Sequence, residues 1–363
     1  MNDLSCAIDQ TVACVADEGL SDWLSQAAGA LAVTTYQAGK VCLVGWNGQQ
    51  VTMLMRHFEK PMGLAVQGPR LALACRHELT LFANSPALAH EYLEDEAGRY
   101  DALYLPRASF HTGDLNLHDA GFGDSGLWLA ATRFSCLAAL STDFSFVPQW
   151  TPNFISQVAP EDRCHLNGLA LRDGRPAFVT AFGATDIAGG WRENKATGGI
   201  VIDVDSGEIV CRGLSMPHSP RWHDGRLWVL NSGTGELGTI DLARAEFAPV
   251  CSLPGYLRGL CFAGGYALVG LSQIREQHIF GGLPIQERCA KLLCAVALID
   301  LKDGRVEGMF EFTAGCRELY DVQFLPGVVR PNILNLQRAA TRQAITAPGF
   351  AYWLRPSAEI PVD

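Results

Sequence analysis

One phrase recurs six times along the chain and limits the available folds more than any other feature. It is a short apolar strand, a Gly/Asp turn, a second strand often carrying Trp or Leu, then a third ending in Asp or a polar turn. M-G-L-A-V-Q-G-P-R-L-A-L-A-C begins at Met62, H-D-A-G-F-G-D-S-G-L-W-L-A-A at His118 and L-N-G-L-A-L-R-D-G-R-P-A-F-V at Leu166. S-P-R-W-H-D-G-R-L-W-V-L begins at Ser219, R-G-L-C-F-A-G-G-Y-A-L-V at Arg258 and Y-D-V-Q-F-L-P-G at Tyr320. Successive starts lie 56, 48, 53, 39 and 62 residues apart, the size of a propeller blade with loop insertions.

The segments between turns are strand-length, among them KVCLVGW, GGIVIDV, RLWVLNS and CAVALIDL. Their connections, R-D-G-R-P, D-S-G, H-D-G and K-D-G, are turn chemistry. Helical periodicity is confined to the first ~30 residues and to Ser85–Glu96. The sixth unit is short, with one clear strand after Tyr320. ALAVTTYQ, KVCLVGWN and VTMLMRHF precede the first phrase and supply three strands. Joining them to the last inner strand completes a four-stranded blade and removes the free edges. The chain is therefore expected to be all-β: a six-bladed β-propeller closed by N-terminal strands pairing with the C-terminal inner strand. Residues 31–355 would be a single propeller domain, 1–30 a leader or cap and 356–363 a tail. Five or seven blades stay open, because the segment Gln277–Leu292 has room for another strand.

Composition excludes several classes. At 48% hydrophobic and 18% charged the chain is too apolar for a disordered protein. No apolar run reaches the ~18 residues of a membrane helix, so no membrane partner is expected. A formal charge of −10 argues against nucleic acid. It does not argue against a local basic pocket. The N-terminus lacks a basic region followed by an apolar core, so no signal peptide is expected. The 12 Cys are scattered without C-x-x-C, several within apolar runs, as buried reduced thiols would be. A cytoplasmic setting is expected.

Ionisable residues gather where the chain enters each repeat. Arg56 and His57 precede the first phrase; Arg107, His111, Asp114, His118 and Asp119 surround the second. Arg163, His165 and Asn167 enter the third, His218 and Arg221 the fourth, Arg258 the fifth, and Glu318, Tyr320 and Asp321 the sixth. In a propeller these entries open on one face, so the residues are expected to converge on one cavity at the channel mouth. Each also has a structural reading: a single His before a strand is usually a hydrogen-bonder, and Glu161-Asp162-Arg163 would serve as a loop ion-pair network.

Three chemistries fit. His118, Asp119, His165, Asn167, His218, Glu318 and Asp321 form a candidate N/O set for one divalent metal ion. Arg56, His57, Arg107, Arg163, Arg221, Arg258 and Tyr320 form a candidate set for an anionic ligand. His111, Asp114, His118 and His165 are candidate catalytic acid–base residues. No nucleotide cofactor is expected, because neither a P-loop nor a dinucleotide fingerprint occurs. Asn231–Gly238 reads as a hairpin turn. Cys164 beside His165 would face the blade if His165 faces the channel.

The phrases H-T-G-D-L-N-L-H-D, T-R-F-S-C-L, A-P-E-D-R-C-H-L-N-G-L-A, G-G-W-R, G-L-S-M-P-H-S-P-R and L-W-V-L-N-S-G-T-G-E-L resemble an uncharacterised bacterial family of conserved hypothetical proteins. Some members are fused to tetratricopeptide repeats, and none is evident here. The resemblance spans nearly the whole chain and implies a propeller without an assigned activity. More distantly, L-N-G-L-A is similar to the gluconolactonase and strictosidine-synthase-like six-bladed propellers. That similarity implies a channel cation held by Glu, Asn and Asp, with Asn167 and Asp321 as matching positions. The His-rich entries depart from that pattern.

The expectation is a metal-dependent enzyme hydrolysing a lactone or ester, or catalysing an isomerisation, on a small anionic or peptide-like substrate. The alternatives are a non-catalytic propeller that binds an acidic ligand or peptide, and a scaffold that meets a protein partner through its blade rims.

Overall fold

The computed structural model describes residues 11–274 and 281–355. The expected tail 356–363, residues 1–10 of the expected leader and 275–280 of the long insert lie outside the described residues. Six sheets follow one another in a ring, and their inner strands are Leu64–Gln67, Leu117–Gly123, Leu166–Arg172, Pro217–His223, Tyr256–Ala263 and Val322–Pro326. These open blades 1 to 6 in order, and each inner strand packs against the next, the last against the first.

Blade 6 is the closure. Val322–Pro326 pairs antiparallel with Gly29–Thr35, with Val322 opposite Val33 and Leu325 opposite Ala30. Lys40–Trp46 and Val51–His57 complete it. The core is divided among the interfaces between neighbouring sheets. Leu64, Leu73 and Leu325 fill the gap between blades 6 and 1, for example, and Leu166, Val179 and Leu137 that between blades 2 and 3. The helix Glu18–Gln26 is capped by Asp17, whose Oδ1 accepts from the Leu20 amide at 2.9 Å. It buries Leu20 and Leu24 against strands of blades 5 and 6, beside the closure.

Three edge additions were not evident in the sequence. Ala13–Ala16 pairs with the outermost strand of blade 5, Val306–Ala314. Pro331–Ile333 lies parallel to Ala102–Tyr104 on blade 1. Ala344–Ala347 and Phe350–Trp353 form a hairpin, so the chain has further strands after Val322–Pro326. These segments are 3 or 4 residues long and extend edges built elsewhere, so they carry little pattern of their own. The long insert of blade 5 holds the short helix Pro284–Arg288 and no strand among its described residues. The ring has six blades.

Alternate blades differ at the centre. Blades 1, 3 and 5 carry Gly63, Gly168 and Gly259 at equivalent positions, in or just before the inner strand. A Cβ on Gly168 would lie 2.3 Å from Pro220 of blade 4, and one on Gly259 2.5 Å from the Val322 amide of blade 6. Gly259 also has φ +78°, a left-handed backbone. The glycines admit the bulkier inner strands of blades 2, 4 and 6, which bring in Asp119, Arg221 and Asp321. Arg221 is bidentate on Asp119 at 2.7 and 3.1 Å and lies 3.9 Å from Asp321. It also donates to the carbonyls of Leu169 in blade 3 and Leu260 in blade 5. Asp119 accepts from the Leu169 amide, and Asp321 from the Leu64 amide of blade 1. All six inner strands are thus tied, directly or through a carboxylate, to one guanidinium. Burial disfavours its charge, but Asp119 and Asp321 hold its pKa above the ordinary range. Arg221→Gln should cost about 3–5 kcal/mol, because it leaves two buried carboxylates without their cation. Urea unfolding reads this directly, and a loss below about 1 kcal/mol, the value of a surface pair, would show that the hub does not hold the ring.

Candidate functional site

In an antiparallel four-stranded blade, the loop entering the first strand and the loop joining the second and third open on the same face. Both kinds of loop build a cavity of about 170 Å³ at the channel mouth. The entry loops contribute Asn116, Asp162, His165, Glu318 and Tyr320, and the first residues of the inner strands His118 and Arg258. The second-to-third connections contribute Tyr36 from blade 6 and Phe182, Trp191 and Arg192 from blade 3.

His118 and His218 are held by the same device. Nδ1 of His118 lies 2.9 Å from the Asn116 carbonyl and 2.8 Å from the Thr132 hydroxyl. Nδ1 of His218 lies 3.0 Å from the Met216 carbonyl and 3.0 Å from the Ser232 hydroxyl. A carbonyl only accepts, so Nδ1 carries the proton and Nε2 presents a lone pair. Met216 and Asn116 reach this geometry with left-handed backbones, φ +47° and +56°. Such strain in non-glycine residues gathers at functional positions. Burial pushes the His118 pKa well below the ordinary imidazole value, with His165, Arg258 and His218 adding to it. Burial, then Arg258 and His165, does the same for His218. Nε2 of His218 is buried and has no hydrogen-bond partner among the described residues.

His165 is positioned differently. Its Nδ1 lies 3.0 Å from both oxygens of Asp162, which also accepts from Trp191 Nε1 at 3.1 Å and faces Arg192 at 3.8 Å. The imidazole stacks on Phe182 at 4.2 Å and meets His118 edge-on at 4.8 Å. Arg258 lies over Tyr256 and Tyr320, at 5.3 and 4.9 Å from the ring centroids. Burial opposes its charge, but Tyr256, Tyr320 and Glu318 hold its pKa above the usual value. Burial drives the Tyr320 hydroxyl well above the usual phenol pKa, and its Oη has no hydrogen-bond partner among the described residues. Tyr36 stacks on Tyr320 at 5.5 Å.

The structure brings together His118, His165, Arg258, Glu318 and Tyr320 of the sequence candidates, with His218 beside them at 6.4 Å from His118. It sends the others elsewhere. Arg56, His57, Arg107 and His111 stand on the fourth strands of their blades, three strand spacings or about 14 Å from an inner strand. Arg107, His57 and His111 are exposed there. Asp114 pairs with Arg133 at 2.9 Å. Arg163 is held by Glu161 at 2.8 Å and Asp186 at 2.7 Å in a loop network. Asp119, Asp321 and Arg221 belong to the central hub, and Asn167 Oδ1 accepts from the Thr180 hydroxyl at 2.7 Å. Cys164 is buried between blades 2 and 3 while His165 lines the cavity.

The metal set therefore does not assemble. Among the described residues, the one group of His, Cys, Asp or Glu with three ligand atoms mutually within 4.8 Å is Asp300, Asp303 and Glu307, on blade 5 away from the channel. Two of the three carboxylates in that set, Asp119 and Asp321, already meet Arg221. Tyr36, Phe182, Trp191 and Arg192 were missed, because they lie on second-to-third connections and not on the repeat phrase. The length of the blade 3 connection and its G-G-W-R were the available signal.

A six-bladed propeller with a polar, aromatic-walled cavity at one mouth of its channel is the class these features define. The chain belongs to the family described as Domain of unknown function (DUF4915), whose model matches residues 18–334. No curated protein sequence matches it. Among solved structures it is similar to a chain of a nidogen/laminin complex, at 11% identity and TM-score 0.51, covering 82% of this chain and 99% of that one. It is similar also to a protein of unknown function from Bacteroides caccae, at 9% identity and TM-score 0.51, covering 82% and 98%. At such identities the likeness is one of fold. No helix among the described residues is long and apolar enough to cross a membrane.

The buried imidazoles make stability depend on acidity. A histidine held neutral in the folded state but able to protonate near 6.5 when unfolded favours unfolding as pH falls through that value. Urea midpoints of the wild type should therefore fall between pH 7.5 and pH 5.5 more steeply than those of His218→Gln. Equal slopes would refute the neutral buried state of His218.

Proposed function

We propose that the channel mouth binds a small molecule bearing an anionic or polarised oxygen and hydrolyses a lactone or ester bond in it. The observation that carries this reading is the Asp162–His165 pair: a carboxylate bidentate on Nδ1 leaves Nε2 for the cavity, next to a second, neutral imidazole and a buried guanidinium. Asp162 stabilises the imidazolium that forms when His165 takes a proton from water. The water oxygen adds to the carbonyl carbon, and the C=O electron pair moves to oxygen. Arg258 and the Tyr320 hydroxyl face that developing charge. On collapse the C–O bond to the leaving group breaks, and His165 returns the proton to the departing oxygen. These steps need no divalent cation, and Asp119 and Asp321 are engaged by Arg221 while Arg258 interacts with Glu318.

Recognition without turnover is the second reading. Its support is the aromatic wall of Tyr36, Tyr320, Phe182 and Trp191, which suits a planar or apolar ligand body. Free thiols at the described cysteines fit a reducing compartment.

Assays on aryl acetates and on five- and six-membered lactones separate the two. Asp162→Asn should lower kcat about 100-fold and displace the pH profile, and Arg258→Gln should lower kcat and kcat/KM together, because the charge it meets develops in the transition state. No turnover on any of these, combined with Arg258-dependent binding of small carboxylates, would favour recognition instead.

A further inference from the structure

A cavity of about 540 Å³ lies away from the channel mouth, at the rim between blade 6 and blade 1. One wall is the outermost strand of blade 6, with Met53, Leu54 and Met55; Tyr100 and Pro331 face it from the blade 1 side. Three guanidiniums line it, from Arg56, Arg99 and Arg330, against one carboxylate, Glu96. Glu96 is already paired with Arg99 at 2.5 Å. Neither Arg56 nor Arg330 has a carboxylate partner among the described residues.

Arg56 is fixed by neutral groups: Nη2 donates to Asn332 Oδ1 at 3.2 Å, Nη1 donates to the Met55 carbonyl at 3.1 Å, and the guanidinium also hydrogen-bonds the Tyr92 side chain. Its Nε is buried without an acceptor, as is the Nε of Arg330. Asp101, the nearest acidic residue in sequence to this wall, is spent on the backbone amides of Val329 and Arg330. Burial, with Arg338 nearby, holds the Arg56 pKa below the usual guanidinium value, so the charge there is carried at a cost that an anion would relieve. Two guanidiniums lining the cavity without a carboxylate partner form a recognition element for oxyanions, and the methionine and leucine side chains offer an apolar bed beside it.

We propose that this rim cavity is a second ligand site, taking a small organic oxyanion, phosphate or carboxylate, carried on an apolar arm. It is separate from the channel mouth and does not rest on the reading of that site. Arg56 also anchors Asn332, whereas the Arg330 side chain has no hydrogen bond or ion pair among the described residues, so Arg330 is the clean probe.

Calorimetric titration with phenyl phosphate, benzoate and inorganic phosphate tests the site. Phenyl phosphate, benzoate or both should bind the wild-type protein, and inorganic phosphate more weakly, because it lacks the arm. Which of the two aryl anions binds more tightly tells phosphate from carboxylate. Arg330→Gln should weaken that binding about tenfold or more, the loss of a charge-assisted hydrogen bond, with its melting temperature unchanged in the absence of ligand. Arg330→Lys, which keeps the charge and loses the fork, should fall between the two. The proposal is overturned if neither aryl anion binds at millimolar concentration, if Arg330→Gln binds as well as wild type, or if Arg258→Gln alone abolishes binding, which would place the ligand at the channel mouth.

Discussion

Arg221 is the interaction on which the rest of the ring depends. A propeller has a hole at its centre, and six inner strands approach one another there with unmatched backbone groups. A guanidinium with five donors is one of the few side chains able to meet several blades at once. Asp119 and Asp321 spread that contact through the Leu169 and Leu64 amides. The arrangement works because Gly168 and Gly259 stand where a Cβ would strike the neighbouring blade, and Gly63 where one would press on Asp119. Charge, backbone room and ring closure are therefore one constraint.

The hub also shapes the cavity above it. His118 directly precedes Asp119, and Tyr320 directly precedes Asp321. Anchoring each aspartate to Arg221 sets the neighbouring ring at the channel mouth. The Nδ1 clamps on His118 and His218 then choose the tautomer, and burial keeps both rings neutral. His165 escapes this scheme. Its left-handed backbone, φ +53°, turns it onto Asp162 and into the aromatic wall of blade 3. Two kinds of imidazole thus share one cavity, a neutral pair and a carboxylate-backed one, and that difference is what gives the acid–base reading its content.

The hub and the rim cavity show two uses of arginine in a protein with net charge −10. Arg221 is saturated, with carboxylates and carbonyls on every side. Arg56 and Arg330 are held in place with donors to spare. Sequence position alone ranked Arg56 and Arg221 together as ligand-binding candidates at blade entries. Their surroundings separate them: one completes the fold, and the other faces an open cavity.

What the sequence by itself determined is the repeat. Strand-length apolar runs at blade spacing, and three strands in excess at one end matching a deficit at the other, call for a closed ring; six was the expected number of blades, and the structure fixed it. The physical reason is that unpaired sheet edges and one-sided apolar sheets have no other economical partner in this chain. The entry residues His118, His165, Arg258, Glu318 and Tyr320 were legible too, because the repeat phase places them at one face. The tertiary structure alone decided which polar residues meet. Arg107 and His111 precede an inner strand in sequence but stand on the far side of a blade in space, since a connection can run from the outermost strand across the sheet. Asp119 and Asp321 carry the composition of metal ligands, yet a guanidinium arriving from blade 4, 102 residues from Asp119, takes their charge. Tyr36 and Trp191 come from connections outside the repeat phrase, and only the folding of antiparallel strands brings those loops to the same mouth. Such pairings arise from distances between blades, which no local pattern in the chain encodes.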